Sequence, residues 1–227
     1  MSPLSGVLRR RLRAAAEPAK AAAMQAYMKS AMPCLGVQAK PLRAVCRDVF
    51  ADIAFAASED WQRAVLEIWR GAEYREERYA AIELVNHRSA REFLRLDAVV
   101  MLREMIIGGA WWDVVDALAS GPLFRILEND REAMATMLRE WARSDNLWLR
   151  RSAIICQLPA KPRTDIALLY DCIEPSLASR EFFLRKAIGW ALRQYARTDP
   201  AEVARYVAAN AARLSPLSRR EATKHLG

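Results

Sequence analysis

Glycine is scarce in this chain, with 8 residues in 227. Alanine, leucine and arginine are abundant instead, a balance that favours helix over sheet. These three side chains lose little rotamer freedom in a helix, whereas glycine loses much backbone freedom there. Histidine is rarer still: only His87 and His225 occur. The four cysteines, Cys34, Cys46, Cys156 and Cys172, form no CxxC pair. A zinc site in any familiar spacing therefore lacks ligands, and no metal or other cofactor is expected. The thiols are expected to be buried and reduced.

Long apolar runs are also missing. The longest, from Leu96 to Trp112, is broken by Asp97, Arg103 and Glu104 and is no membrane span. Arg9, Arg10, Arg11 and Arg13 look superficially like an organellar presequence. They precede no apolar core, and Glu17 and Pro18 follow soon after, so a secretory signal is not expected. A cytoplasmic protein with no membrane contact, and a monomer, is the expectation. The arginine run itself reads as a solvated face, with phosphate contact as the alternative.

What is present is a foldable chain with a strong bias of charge. Hydrophobic residues make up 53% and charged residues 27%, which is the composition of a globular protein and not of a disordered one. Lys and Arg number 35 against 27 Asp and Glu, a net charge of +8. Such a surplus attracts polyanions, of which nucleic acid is the commonest in a cell.

A repeat organises the sequence. Small–large pairs recur at Ala44-Val45, Ala81-Ile82, Ala117-Leu118, Ala153-Ile154 and Ala187-Ile188, separated by 37, 36, 36 and 34 residues. Each lies within an apolar helical stretch. Turn signals fall between them: Pro41, Ser58-Glu59-Asp60, Gly108-Gly109, Gly121-Pro122, Ser144-Asp145-Asn146, Pro159 to Pro162, and Asp199-Pro200. Two helices fit each interval. The spacing predicts an all-α, right-handed superhelix of stacked HEAT-like helix pairs, an α-solenoid with a concave basic groove. The whole chain, 1–227, is read as one repeat domain, with an N-terminal helical cap over 1–40 and about five helix pairs over 41–227. The small residues are expected where neighbouring helices approach most closely.

Aligned on those alanines, the preceding positions hold Arg43, Ala80, Asp116, Ser152 and Lys186, and those before them Leu42, Tyr79, Val115, Arg151 and Arg185. A basic row runs along the second helices, and one acid, Asp116, interrupts it. An acid there repels phosphates and needs a function to persist. Trp112 and Asp116 stand four apart, on one helix face. Arg151 falls one repeat later, and Trp190 one repeat after that. In a stack of helix pairs these four line one cleft. Asp113 and Arg150 are neighbours that compete for the same roles. Trp61, Trp69, Trp111, Trp141 and Trp148 read as core or rim, Cys156 as core, and His87 as a solvated residue at a helix end.

At this point the sequence resembles the bacterial DNA alkylation repair glycosylases of the AlkD type, which are built from HEAT-like repeats. The resemblance is carried by Tyr27-Met28-Lys29 with Pro33-x-Leu35-Gly36-Val37-Gln38, by Ala81-Ile82-Glu83-Leu84, and by Trp111-Trp112-Asp113-x-Val115-Asp116. It continues through Trp148-x-Arg150-Arg151-x-Ala153-Ile154 and Lys186-Ala187-Ile188-Gly189-Trp190-Ala191-Leu192-Arg193. The first twenty residues are less recognisable.

The resemblance implies excision of positively charged N3- or N7-alkylated purines from double-stranded DNA. It implies that Trp112 and Trp190 bracket the deoxyribose, that Asp116 supports hydrolysis, and that Arg151 holds a neighbouring phosphate. It also assigns Tyr27, Lys29, Gln38, Arg193 and Arg197 to DNA contacts, although Tyr27 read by itself could equally cover a helix packing surface. A cationic purine leaves without a general acid, so the lack of a suitable histidine is no objection. The competing class is a non-catalytic HEAT-like module that binds nucleic acid or protein, for which a basic residue or alanine at position 116 would be more natural.

Overall fold

The computed structural model describes residues 2–226, and among them every regular element is helical, with no strand. None of these helices is long and apolar enough to cross a membrane. Two compact units divide the chain between Leu94 and Arg95.

The first unit holds α1 (Pro3–Ala14), α2 (Pro18–Met28), α3 (Ala39–Val49), α4 (Ser58–Arg70) and α5 (Arg75–Val85). Helices α4 and α5 pack against each other as a pair, α3 lies against α5, and α1 packs on all three. Leu8, Leu12, Phe50, Trp61 and Leu84 are fully buried between them. Each such side chain contributes about 1.5–3 kcal/mol through removal from water. In the arginine run of α1, Arg10, Arg11 and Arg13 are exposed and Arg9 is half-buried, and three of the four make ion pairs. Arg9 and Arg13 pair with Glu73 and Glu77, Arg13 lying 2.7 Å from Glu73, while Arg11 faces Asp48 at 3.8 Å. The Glu77 side chain is completely buried, so two arginines beside it offset the cost of enclosing a carboxylate.

Helix α2 differs from the others in burying none of its residues. It is tied down at its start by the loop that follows it. Gly36 has φ +86°, and a Cβ there would collide with the Glu17 carbonyl, so only glycine fits this left-handed, close approach. The fully buried Glu76 then accepts hydrogen bonds from the backbone N–H groups of Leu35, Gly36 and Val37 at 2.9, 2.9 and 3.0 Å. A carboxylate held by three amides fixes the loop that ends at Gln38.

The second unit holds α6 (Val99–Gly109), α7 (Trp112–Leu118), α8 (Phe124–Asn129), α9 (Arg131–Trp141), α10 (Leu147–Ile155), α11 (Ile166–Ile173), α12 (Phe182–Tyr195), α13 (Pro200–Ala209) and α14 (Pro216–Ala222). Helices α7, α10, α12 and α14 lie side by side in that order, while α6, α9, α11 and α13 form the layer behind them. Most of the expected breaks start or stop helices. Asn146 caps α10 by accepting from the N–H groups of Trp148 and Leu149, and Asp199 caps α13 with Pro200 at its first position.

Gly121-Pro122 is not a break. A π turn, Ala119–Leu123, carries the chain through Pro122 and joins α7 to α8. A wider turn tolerates the missing proline N–H that would end an α-helix. The alanines show a second departure from expectation. Ala81, Ala153 and Ala187 are buried where helices meet, but Ala117 is exposed, and Ala119 is buried instead.

Candidate active site

The Asp116 and Arg151 side chains meet in a two-pronged ion pair. Arg151 Nε donates to Asp116 Oδ1 and Nη2 donates to Oδ2, both at 2.7 Å. Helix α7 supplies the acid. Its Val114, Val115 and Leu118 are buried, which turns Asp116 toward α10 and leaves its side chain 16% exposed. Helix α10 supplies the base, almost entirely buried, and Arg151 Nη1 also donates to the main-chain carbonyl of Phe183 at 2.7 Å.

Aromatic rings wall this pair. Trp111 stands against Phe183 at 5.3 Å and Trp148 against Phe183 at 5.0 Å, while the Arg151 guanidinium lies over the Phe183 ring at 5.9 Å. Water is thereby displaced from one side of the pair, and its electrostatics act in a medium of low polarity. Burial pushes the Asp116 carboxyl above the ordinary carboxylate range, while the hydrogen bonds and positive charge of Arg151 pull it down. Nearby Asp113 adds a smaller upward push. The result is a carboxylate that is incompletely compensated and therefore has much to gain from a new cation beside it. A carboxylate offers about four acceptor positions, so the two taken by Arg151 leave room for water on the exposed side.

Trp112 opens α7 one turn before Asp116 and is half-buried. Trp190 is half-buried on α12, the helix on the far side of α10. Among the described residues neither indole pairs with another ring. Lys186, Trp190 and Arg193 share one stripe of α12 by their spacing. Both cations of that stripe are held by Glu221 of α14, Lys186 at 2.9 Å. Gly189 permits this docking: a Cβ there would stand 2.5 Å from Glu221 Cβ and 2.9 Å from the Ser218 carbonyl oxygen.

The structure thus brings Asp116 and Arg151 into direct contact, with Trp112 one turn away and Trp190 on the adjoining helix. Arg151 does not stand as a surface cation ready for a phosphate, because Asp116 and Phe183 engage it and burial encloses it. Arg150 is engaged elsewhere, by Ser176 at 2.9 Å. Of the other expected contacts, Arg193 is ion-paired to Glu221, while Arg197 is exposed just beyond α12. Tyr27 is 74% exposed near the end of α2, and Lys29 is an exposed left-handed cap at φ 48°. Gln38 is exposed before α3, its Oε1 accepting from Lys20 at 3.1 Å. Trp61, Trp69, Trp141 and Trp148 are core, as read from the sequence, and all four cysteines are buried and outside any disulfide.

Sequence reasoning missed Phe183, Glu76 and Glu221. Phe183 follows Trp148 by 35 residues and Trp111 by 72, close to one and two repeats, a signal that an aromatic series would have revealed. Nothing local marks Glu76, which looks like an ordinary first-turn acid. Among the described residues no group of three or more His, Cys, Asp or Glu is placed to hold a metal ion.

This chain belongs to the DNA alkylation repair enzymes, the family whose model matches residues 8–226. Among solved structures, a predicted DNA alkylation repair enzyme from Enterococcus faecalis is similar, with 30% sequence identity over 93% of this chain and 97% of that one, at a TM-score of 0.84. No curated protein sequence matches.

Proposed function

We propose that the protein is a DNA glycosylase that removes cationic N3- or N7-alkylated purines from duplex DNA. The observation that carries this reading is the partly desolvated Asp116 carboxylate, incompletely compensated by Arg151 and one helical turn from the Trp112 indole. In the proposed step the C1′–N bond breaks, and its electron pair leaves with the purine, which becomes neutral. The sugar takes on oxocarbenium character. Asp116 stabilises that cation electrostatically and orients a water whose oxygen bonds to C1′, its proton passing to solvent. The faces of Trp112 and Trp190 contribute on the order of 0.5–2 kcal/mol each toward a neighbouring positive charge.

Arg151 acts here as a positioning residue that aims the Asp116 carboxylate. Tyr27, Lys29, Gln38 and Arg197 are proposed as DNA contacts, with Arg193 contributing if Glu221 shares it. A barrier lowered by about 4–6 kcal/mol gives roughly a thousandfold acceleration or more, enough for a bond already weakened by alkylation and too little for a normal base.

The test is base release from methylated duplex DNA by the wild type and by Asp116→Asn. The expected loss is roughly 100- to 1000-fold, as for removal of one preorganised electrostatic group. Equal release by both proteins would overturn the mechanism. No release by the wild type would favour a non-catalytic DNA-binding module.

A further inference from the structure

The first unit contains a basic cleft that has no part in the chemistry above. It encloses about 400 Å³ between the C-terminal turns of α3 and α5. Arg43 and Arg47, one turn apart on α3, line it together with Arg88, which lies just past α5. Phe50 and His87 also line it, edge to face at 6.2 Å. Glu83 is its only acid.

The commitments of these charges set the cleft apart. Arg9, Arg11 and Arg13 in the same unit are all paired with carboxylates, yet Arg43 and Arg47 have no ion-pair partner among the described residues. Arg88 donates from Nη2 to the Ala51 carbonyl at 3.0 Å, which fixes the side chain and leaves most of its donors unused. Glu83 is half-buried and makes no ion pair among the described residues, although the charge of Arg43 still reaches it. Three guanidiniums thus face one carboxylate, and the cleft keeps a surplus of two positive charges.

The ligand class follows from this donor set. A metal cation is repelled by three arginines. Guanidinium forks match tetrahedral oxyanions with several acceptor oxygens better than they match neutral groups. We propose that this cleft binds a phosphate group, presented either by the backbone of duplex DNA or as a free phosphate. The first source rests on the DNA-binding part of the reading above; the site itself does not depend on base excision.

The test uses the full chain and unmodified duplex DNA, so that it reads binding and not glycosylase activity. Affinities of the wild type and of Arg43→Ala/Arg47→Ala are measured between about 50 and 200 mM salt. The double alanine variant leaves one DNA phosphate without its counter-charge. Its slope of log K against log salt therefore becomes shallower by about 0.9, and affinity falls about tenfold at the lower salt. Arg43→Lys/Arg47→Lys keeps the charges and should restore the slope. Glu83→Gln removes the repelling acid and should tighten binding severalfold. Both arginines are exposed, so folding should be unaffected, and matching thermal melts check this.

In parallel, inorganic phosphate at millimolar concentration is titrated by calorimetry into DNA-free wild type and the double alanine variant. A changed slope identifies DNA as the source. An unchanged slope with phosphate heat in the wild type only identifies free phosphate. If the slope is unchanged and phosphate heat is absent or equal in the two proteins, the inference is overturned. A slope change in a wild type that releases no base leaves this site standing while the glycosylase reading falls.

Discussion

Replacing Arg151 by alanine removes the partner of Asp116 from beneath an aromatic wall. Two charge-assisted hydrogen bonds to Asp116 disappear with it, as does the bond to the Phe183 carbonyl. Breaking a buried ion pair from one side costs about 3–5 kcal/mol, because the remaining charge is left without compensation. Asp116 keeps 16% exposure, so water recovers part of this, and a loss of about 3 kcal/mol is expected.

The loss should depend on pH in a definite direction. Burial already holds the Asp116 carboxyl above its ordinary value in the folded protein. Without Arg151 the upward shift grows. An acid whose folded pKa is raised destabilises the native state when ionised, and this penalty vanishes once pH falls below the unfolded value, about 4. The gap between wild type and Arg151→Ala should therefore be widest near pH 7 and narrow steadily toward pH 4. Urea denaturation followed by tryptophan fluorescence at four pH values measures it. A gap below about 1 kcal/mol, or one that does not change with pH, would refute the claim that a desolvated pair anchors this site.

Three further outcomes follow from the packing. Glu76→Ala strands three buried amides, each costing about 1–3 kcal/mol; chemical denaturation should show a loss of several kcal/mol, with hydrogen exchange accelerated at Leu35 to Val37. Gly189→Ala forces α14 away from α12 and should cost about 1–3 kcal/mol in stability, with the fluorescence of Trp190 altered. The four thiols should resist aromatic disulfide reagents in the native state and react together on unfolding, since burial pushes Cys46 and Cys172 up to about 12 and Cys156 also upward; prompt native reactivity would contradict this.

Much of the arrangement was legible because it rests on local periodicity. Spacing near 36 residues placed Ala44, Ala81, Ala117, Ala153 and Ala187 within five different helices, α3, α5, α7, α10 and α12. The same register put Asp116 and Arg151 on adjacent helices. The direction in which Arg151 points was not legible, because a guanidinium chooses among partners according to what else is buried nearby. An arginine beside a half-enclosed carboxylate is drawn to it before any phosphate arrives. Pro122 misled for a related reason: proline disfavours an α turn, and only the surrounding packing reveals that a π turn absorbs it. The ion pairs of Arg9 and Arg13 were not legible because their partners, Glu73 and Glu77, lie about sixty residues away.

The acceptor that steadies Arg151 at its third donor is a peptide oxygen, not a side chain. Point mutation can change the ring at position 183 but leaves the oxygen in place. Inheritance can therefore vary the aromatic lining while the guanidinium keeps its aim. Substitutions at 116 or 151, by contrast, break the ion pair itself, and a collection of random variants selected for retained folding should accept other large apolar side chains at 183 more readily than a change at either of those two.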